Sequence, residues 1–306
     1  MMKVAVVGAG AVGMAVAAFF AKAGAEVHVW TRRQAQARAL NQEGIAVFGE
    51  RRLSVAVKAS EIKGSNKAEE ADLMIVAVKS YHLPEVLDVA SFCLERARST
   101  LFLQNGMGHL VHLERLRVQE LNLGTTEHGV TRISDVSIQL NGVGNIRWAP
   151  YRGGGTEFRN VVNQVSNECF PYQEEPSYKR MLEYKLVANA CINGLTALCD
   201  VKNGALIENG HLNRAMKDVF LEVIAVLERT NEQKELWEYV EQICQSTAAN
   251  TSSMLADKQE GRRMEIDGIY GFLVCEGDWR GVDTPILSLV MELLQSKESE
   301  GGEKPS

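Results

Sequence analysis

Val4-Ala5-Val6-Val7-Gly8-Ala9-Gly10-Ala11-Val12-Gly13-Met14-Ala15-Val16-Ala17-Ala18-Phe19-Phe20-Ala21 is a run of eighteen uncharged residues near the start of the chain. By hydropathy alone it fits a membrane span or a secretory leader. Its glycines argue against one continuous helix. Gly8, Gly10 and Gly13 form G-x-G-x-x-G directly after the β-branched run Val4, Val6, Val7 and directly before helix-forming residues. The pattern at Gly8, Ala9, Gly10, Ala11, Val12 and Gly13 predicts a strand, a tight turn and a helix start. Gly8 permits the turn, Gly10 lets a pyrophosphate approach the backbone, and Gly13 lets helix and strand pack closely. Free N–H groups and the helix dipole then favour a phosphate at the helix N-terminus. A second strand, Glu26 to Trp30, follows Gly24, so a β-α-β dinucleotide-binding unit fits in about 30 residues.

The end of the second strand selects the dinucleotide. An NAD site places Asp or Glu there to bond the ribose 2′-hydroxyl. This chain has Thr31-Arg32-Arg33. A guanidinium forks onto a 2′-phosphate that a carboxylate would repel, so NADP(H) is expected over NAD, unless both arginines are merely solvated loop charges.

With 306 residues, the chain is long enough for two domains. Its 45% hydrophobic and 24% charged residues are ordinary for a globular protein. A net charge of -6 without a basic stripe argues against nucleic acid as partner. No second long apolar run implies a membrane anchor. The six cysteines show no C-x-x-C pair and no histidine at zinc-ligand spacing, so no metal is expected. Such cysteines fit a reducing cytoplasm, although their even number leaves a disulfide open.

The first half alternates strand and helix patterns. Ile45–Phe48 and Leu53–Val57 read as short strands, Glu61–Glu70 as a polar loop, and Leu73–Val78 as a buried parallel strand. Thr100–Leu103 is a further strand, ending in Gln104-Asn105-Gly106. Val136–Leu140 and Ile146–Trp148 are expected to pair antiparallel across Asn141-Gly142, and a helix from Glu157 to Cys169 closes this half. From Pro176 onward helical periodicity dominates: Tyr178–Leu198, Leu212–Thr230, Glu232–Ala249 and Pro285–Ser296. The expected plan is an α/β Rossmann-type N-terminal domain (1–175), an all-α C-terminal domain (176–296) and a disordered tail (297–306). In such a plan the cofactor lies at the carboxyl ends of the strands and the second domain closes over it.

Lys79 follows the Leu73–Val78 strand and is placed to reach cofactor phosphate, unless it is only a solvated charge at the strand's end. Asn105 sits at the next strand's end, where Asn-Gly also suits a turn. On the first long helix, Lys185, Asn189 and Asn193 are spaced i, i+4, i+8 and drift only ~80° around the axis. Their neighbours Leu182, Leu186, Val187, Ala190, Ile192 and Leu195 are apolar. A buried amide left unpaired costs ~1–3 kcal/mol, so this stripe needs a partner unless it faces solvent. Asn250-Thr251-Ser252-Ser253 is dense in small hydrogen-bonding groups and also suits a helix N-cap. Glu265 and Asp267 lie near another helix start, and Asn203-Gly204 reads as a turn or a cleft-facing pair.

Taken together these motifs resemble the ketopantoate reductase (2-dehydropantoate 2-reductase) family, up to about Gln295. The likeness rests on GAGAVG at Gly8–Gly13, Arg32, Val78-Lys79, QNGMG at Gln104–Gly108, K-x-x-x-N-x-x-x-N at Lys185–Asn193, NTSSM at Asn250–Met254 and EID at Glu265–Asp267. The resemblance implies NADPH-dependent reduction of 2-dehydropantoate to pantoate, a step toward pantothenate and coenzyme A. It implies Lys185 as general acid, Arg32 on the 2′-phosphate, and Lys79 and Asn105 on the cofactor. It also implies that Asn189, Asn193, Asn203, Asn250 and Ser253 hold the substrate, with Asn105 and Lys185 beside them, and that Glu265 contacts the cofactor side and organises the site. The chain departs from the family at Gly194, where proline is common, and at Tyr270 and Ile286, where asparagine is usual. These departures bear on which 2-oxo acid is preferred. A reductase of another 2-oxo acid and a non-catalytic NADPH sensor stay open as alternatives, and so does a homodimer.

Overall fold

In a computed structural model of the chain, which describes residues 1–64, 71–167 and 170–302, the opening run forms strand β1 (Lys3–Val7) and helix α1 (Ala11–Lys22). Residues Gly13 through Phe20 of α1 are all buried. The reason lies in its neighbours. α1 packs on one side against β1 and β2 (Glu26–Thr31), and on another against β3 (Ile45–Gly49), β4 (Leu53–Val55), β9 (Gly129–Arg132) and β10 (Ser137–Gly142). A helix covered by sheets on both sides must be apolar all round. The membrane-like composition is therefore that of a core helix, and no described helix is long and apolar enough to cross a bilayer.

The chain divides into two compact units, 1–104 with 110–181, and 105–109 with 182–306. The boundary thus falls a few residues beyond the 175/176 junction expected from sequence. It also assigns the short segment after Gln104 to the second unit.

In the first unit the large sheet adds β5 (Lys58–Glu61), β6 (Leu73–Val76), β7 (Ser99–Phe102), β8 (Leu121–Thr126), β11 (Ile146–Arg152) and β12 (Tyr172–Glu174). Its order is β12-β11-β8-β7-β6-β1-β2-β5. From β5 to β8 all neighbours are parallel, and the connections reverse direction between β1 and β6. That reversal is the switch point where an open α/β sheet presents its crevice. Helices α2 (Gln34–Glu43), α3 (Leu83–Arg96), the short α4 (Leu110–Leu113) and α5 (Thr156–Val165) complete the unit.

One expected pairing does not form. β10 and β11 are not partners: β10 joins β3 in parallel and β9 antiparallel in a second sheet, β4-β3-β10-β9, while β11 joins β8 antiparallel in the first. Asn141-Gly142 ends β10, paired with β9, and residues 143–145 lead to the other sheet, so no hairpin closes there. Hydrophobic alternation is the same for either partner, so it does not encode the choice. The expected closing helix ends at Val165, and Cys169 lies outside the described residues.

The second unit contains helix α6 (Tyr178–Cys199) from Leu182 on, then α7 (Ala205–Glu208), α8 (Gly210–Val226), α9 (Gln233–Ser246), α10 (Ser253–Gln259), a π-helical turn (Asp267–Gly271), α11 (Phe272–Arg280) and α12 (Pro285–Gly302). Glu222 of α8 accepts the Ile286 and Leu287 N–H groups at 2.9 and 2.8 Å, which caps α12 behind Pro285. α12 continues past Ser296, where the sequence reading placed a disordered tail, and residues 303–306 lie outside the described set. The five described cysteines are free, and no described cluster of His, Cys, Asp or Glu could hold a metal.

Candidate active site

In the first unit the glycine turn is held from both sides. Gly8 has φ +105°, and its N–H donates to the Trp30 carbonyl at 2.8 Å. A Cβ at Gly13 would collide with the Gly8 carbonyl oxygen, whereas one at Gly10 would meet nothing within 4 Å. Gly13 is thus glycine for packing, and Gly10 leaves open space above the backbone. Helix α1 has no side-chain N-cap, so its first N–H groups are not consumed by a capping oxygen. The Ala9 side chain belongs to the unit's hydrophobic core, and Val12 packs against it. The Ala9 carbonyl accepts the amide of Gln36 at 2.9 Å, and the same amide reaches the Asp135 carbonyl at 3.0 Å.

The two arginines after β2 separate. Arg33 pairs with Asp135, as does Arg132, and the Arg33 guanidinium is the first cause holding the Asp135 carboxyl below its usual range. Arg32 instead lies 3.1 Å from the His82 ring nitrogen. Lys79 is the residue before the turn Ser80–His82, so Lys79, His82 and Arg32 sit around the carboxyl ends of β6 and β2. Gln104 ties the ends of β6 and β7 together, its amide donating to the Val76 and Val78 carbonyls at 3.0 and 3.1 Å.

In the second unit Asn105 donates to the buried Glu265 carboxylate at 2.9 Å. The next residue, Gly106, has φ +76°, and a Cβ there would overlap the Gly268 carbonyl. Asn-Gly therefore makes a turn and also presents Asn105 to Glu265. On α6, Asn189 and Asn193 are 8% and 6% exposed, so the stripe is not a solvated face, and Lys185 is half-buried at its N-terminal end. The N-cap of α10 is Ser252, which accepts the Leu255 N–H and lies 2.7 Å from the Thr196 hydroxyl. With the cap supplied by Ser252, the Ser253 hydroxyl is left to meet the Asn193 amide at 3.4 Å. Lys258 adds a third tie between α10 and α6, donating to the Ala197 carbonyl at 2.7 Å. Asn203 donates to Thr247 at 2.9 Å, its N–H meets the Asn250 carbonyl at 3.2 Å, and its buried Oδ1 has no hydrogen-bond partner among the described residues. The Asn250 side chain is exposed.

The second unit therefore joins Asn105 to Glu265, Asn193 to Ser253, and Asn203 to Asn250. Residues 4–153 match the family described as Ketopantoate reductase PanE/ApbA, and residues 178–298 match its C-terminal family. The chain belongs to the ketopantoate reductase family. It is 36% identical over 302 residues to the 2-dehydropantoate 2-reductase of Bacillus subtilis, covering 97% of this chain and 98% of that one. The crystal structure of a probable 2-dehydropantoate 2-reductase from Bacillus subtilis superposes with a TM-score of 0.85 at 34% identity, over 97% of this chain and all of the other. A D-mandelate dehydrogenase solved with NADH and anilino(oxo)acetate superposes with a TM-score of 0.91 at 21% identity over 99% of this chain and 100% of that one, a likeness of fold alone.

Two residues of this family member escape the sequence reading. Gln36 is 5% exposed and holds the glycine turn. His82 lies beside Arg32 although 50 positions separate them. An uncharged amide on the buried face of α2 was a readable signal for Gln36. No local signal marks His82, because its proximity to Arg32 comes from β6 lying two strands from β2 across β1.

Proposed function

We propose that the chain reduces 2-dehydropantoate to pantoate with NADPH, using Lys185 as general acid. The observation that carries the reading is the stripe on α6: half-buried Lys185 and buried Asn189 and Asn193, set among the apolar neighbours Leu186, Val187, Ala190 and Ile192. A sensor would need the first unit's groups only. The residues present suit the dinucleotide, since Gly10 opens the backbone, the α1 N–H groups have no side-chain cap, and Arg32 is not consumed by Asp135. Because a protein of this fold is also described with NADH, the choice of NADPH rests on Arg32 and not on the fold.

When bound, the reduced nicotinamide supplies hydride to the keto carbon. As that carbon is reduced, negative charge grows on its oxygen. The Lys185 ammonium stabilises the charge and delivers the proton, a contribution of about 10²–10⁴-fold in rate. Asn189, Asn193 and Ser253 supply neutral donors for the substrate carboxylate. Asn203 offers its unpaired Oδ1 to the substrate hydroxyl, with Asn250 beside it. Glu265 fixes the Asn105 amide, and Lys79 contributes charge for the cofactor phosphates. We further propose a cytoplasmic homodimer. A ketopantoate reductase of Staphylococcus aureus is described as dimeric, and the free cysteines suit a reducing compartment.

The deciding experiment is a steady-state panel of 2-oxo acids with NADPH and with NADH. Highest kcat/KM for 2-dehydropantoate with NADPH is expected. A clear preference for another 2-oxo acid would transfer the reading to a sibling reductase, and no turnover with any acid would favour a sensor. Light scattering of the purified protein tests the dimer, which a monomer mass would remove.

A further inference from the structure

Within the second unit, the π-helical turn Asp267–Gly271 is seated on two glycines. At one end, its Gly268 carbonyl fills the space that a Cβ on Gly106 would need. At the other, Tyr270 is wholly buried and its hydroxyl donates to the Ala190 carbonyl at 2.6 Å. That carbonyl belongs to α6, between Asn189 and Asn193. The ring lies where a side chain on Gly194 would be: an added Cβ would overlap the phenol oxygen and come within 2.6 Å of Cζ and 3.0 Å of Cε2.

A glycine inside a helix is destabilising relative to alanine, so its presence at 194 asks for a compensating contact. The phenol provides one. A helical carbonyl already used by the ladder keeps a second lone pair, which Tyr270 takes. The wider π turn also changes the direction of the side chains it carries relative to a continuous α-helix, a device common at functional sites. The same short segment follows Glu265, whose carboxylate holds Asn105. One short piece of chain therefore touches both the Asn105–Glu265 pair and the turn of α6 that bears Asn193.

We propose that Tyr270 and Gly194 form an interlocking pair that sets the Lys185–Asn193 stripe in register with the Asn105–Glu265 pair, making Tyr270 a positioning residue for the 2-oxo acid. The inference rests on the reductase reading above. It places Tyr270 outside direct contact with the reacting atoms and assigns its effect to substrate geometry rather than to dinucleotide affinity.

The test compares wild type, Tyr270→Phe, Gly194→Ala and the double variant Gly194→Ala with Tyr270→Leu. Each is assayed with the 2-oxo acid that wild type reduces best, with NADPH binding followed separately by fluorescence titration. Tyr270→Phe keeps the ring and removes only the donor. Its KM for the 2-oxo acid should rise about tenfold, the scale of one net hydrogen bond, with NADPH affinity unchanged. Gly194→Ala should lose at least about tenfold in kcat/KM through overpacking, and the shorter leucine side chain of the double variant should recover most of it. Should Gly194→Ala fail to fold, Tyr270→Phe carries the test alone. An unchanged KM in Tyr270→Phe overturns the proposal. So does a lower active fraction with unaltered KM, or parallel loss of NADPH and 2-oxo acid binding, because both mark a purely structural tyrosine. A wild type that reduces no 2-oxo acid ends the reductase reading itself, and the inference falls with it.

Discussion

The two units carry their functional groups in opposite ways. In the first, the decisive feature is missing side chains: Gly10 leaves room above the backbone and Gly13 admits the Gly8 carbonyl. In the second, the decisive feature is added polar side chains, Lys185, Asn189 and Asn193, set among apolar neighbours on α6. Backbone recognition suits a group every dinucleotide shares, a pyrophosphate. Side-chain recognition suits a group that differs between substrates. The contrast predicts that substitutions at the glycine turn and Arg32 of the first unit change cofactor use, and those on the α6 stripe of the second change turnover and 2-oxo acid choice.

The sharpest way to break this division is Lys185→Ala. Turnover should fall by about 10²–10⁴-fold, while fluorescence titration shows NADPH still bound. Near-normal turnover would remove the general acid and with it the assignment of chemistry to the second unit.

A paired substitution probes the first unit. Gly13→Ala forces a Cβ into the Gly8 carbonyl and should cost about 1–3 kcal/mol of stability, read as a lower melting temperature. Gly10→Ala meets no atom within 4 Å and should leave the melting temperature alone. It should still weaken NADPH by about 10–100-fold, the range of one or two charge-assisted hydrogen bonds. If both variants melted alike and bound alike, the separation of packing glycine from binding glycine would be lost.

Arg32→Ala is expected to have a smaller, more selective effect. KM for NADPH should rise about tenfold, with KM for NADH nearly unchanged, because only NADPH carries the 2′-phosphate. Equal changes for both would detach Arg32 from that phosphate. Arg33→Ala is the control, since its guanidinium is held by Asp135.

The two units also differed in how much of them could be read from the chain. The glycine turn, β1, α1 and β2 follow from a local motif whose parts are adjacent in sequence. The stripe on α6 follows from period 3.6. What escaped depends on distant packing. Alternation identified β10 and β11 as strands but not their partners, so the second sheet went unseen. Gln36, His82 and the Tyr270–Gly194 contact each join positions 27 or more apart. Gly194 and Tyr270 stood out singly as departures from the family. Only coordinates show that one residue occupies the space the other leaves.

The smallest expected effect on activity is a pH effect on stability, confined to the first unit. His128 is buried, stacks on Phe170 at 4.1 Å, and accepts the Gly144 N–H at its Nδ1 at 3.1 Å. Phe170 in turn stacks on Phe19 of α1 at 4.4 Å. Burial pushes the His128 pKa down to about 4, while Glu127 pulls weakly the other way. Protonation would also have to displace the Gly144 N–H from Nδ1. In the unfolded chain the imidazole takes its proton near pH 6.5, so between there and about pH 4 the unfolded state binds more protons. Stability is therefore complete above pH 6.5 and declines as pH falls toward 4, by about 3 kcal/mol at most. Asp135, whose carboxyl is lowered from 3.8, loses its contribution only below that window. Melting temperatures taken across the window should fall with pH in the wild type, and the fall should flatten in His128→Phe, which keeps the stack on Phe170. The same slope in both proteins would place the acid sensitivity elsewhere, whereas a loss confined to the wild type ties it to the aromatic stack that locks α1 between the sheets.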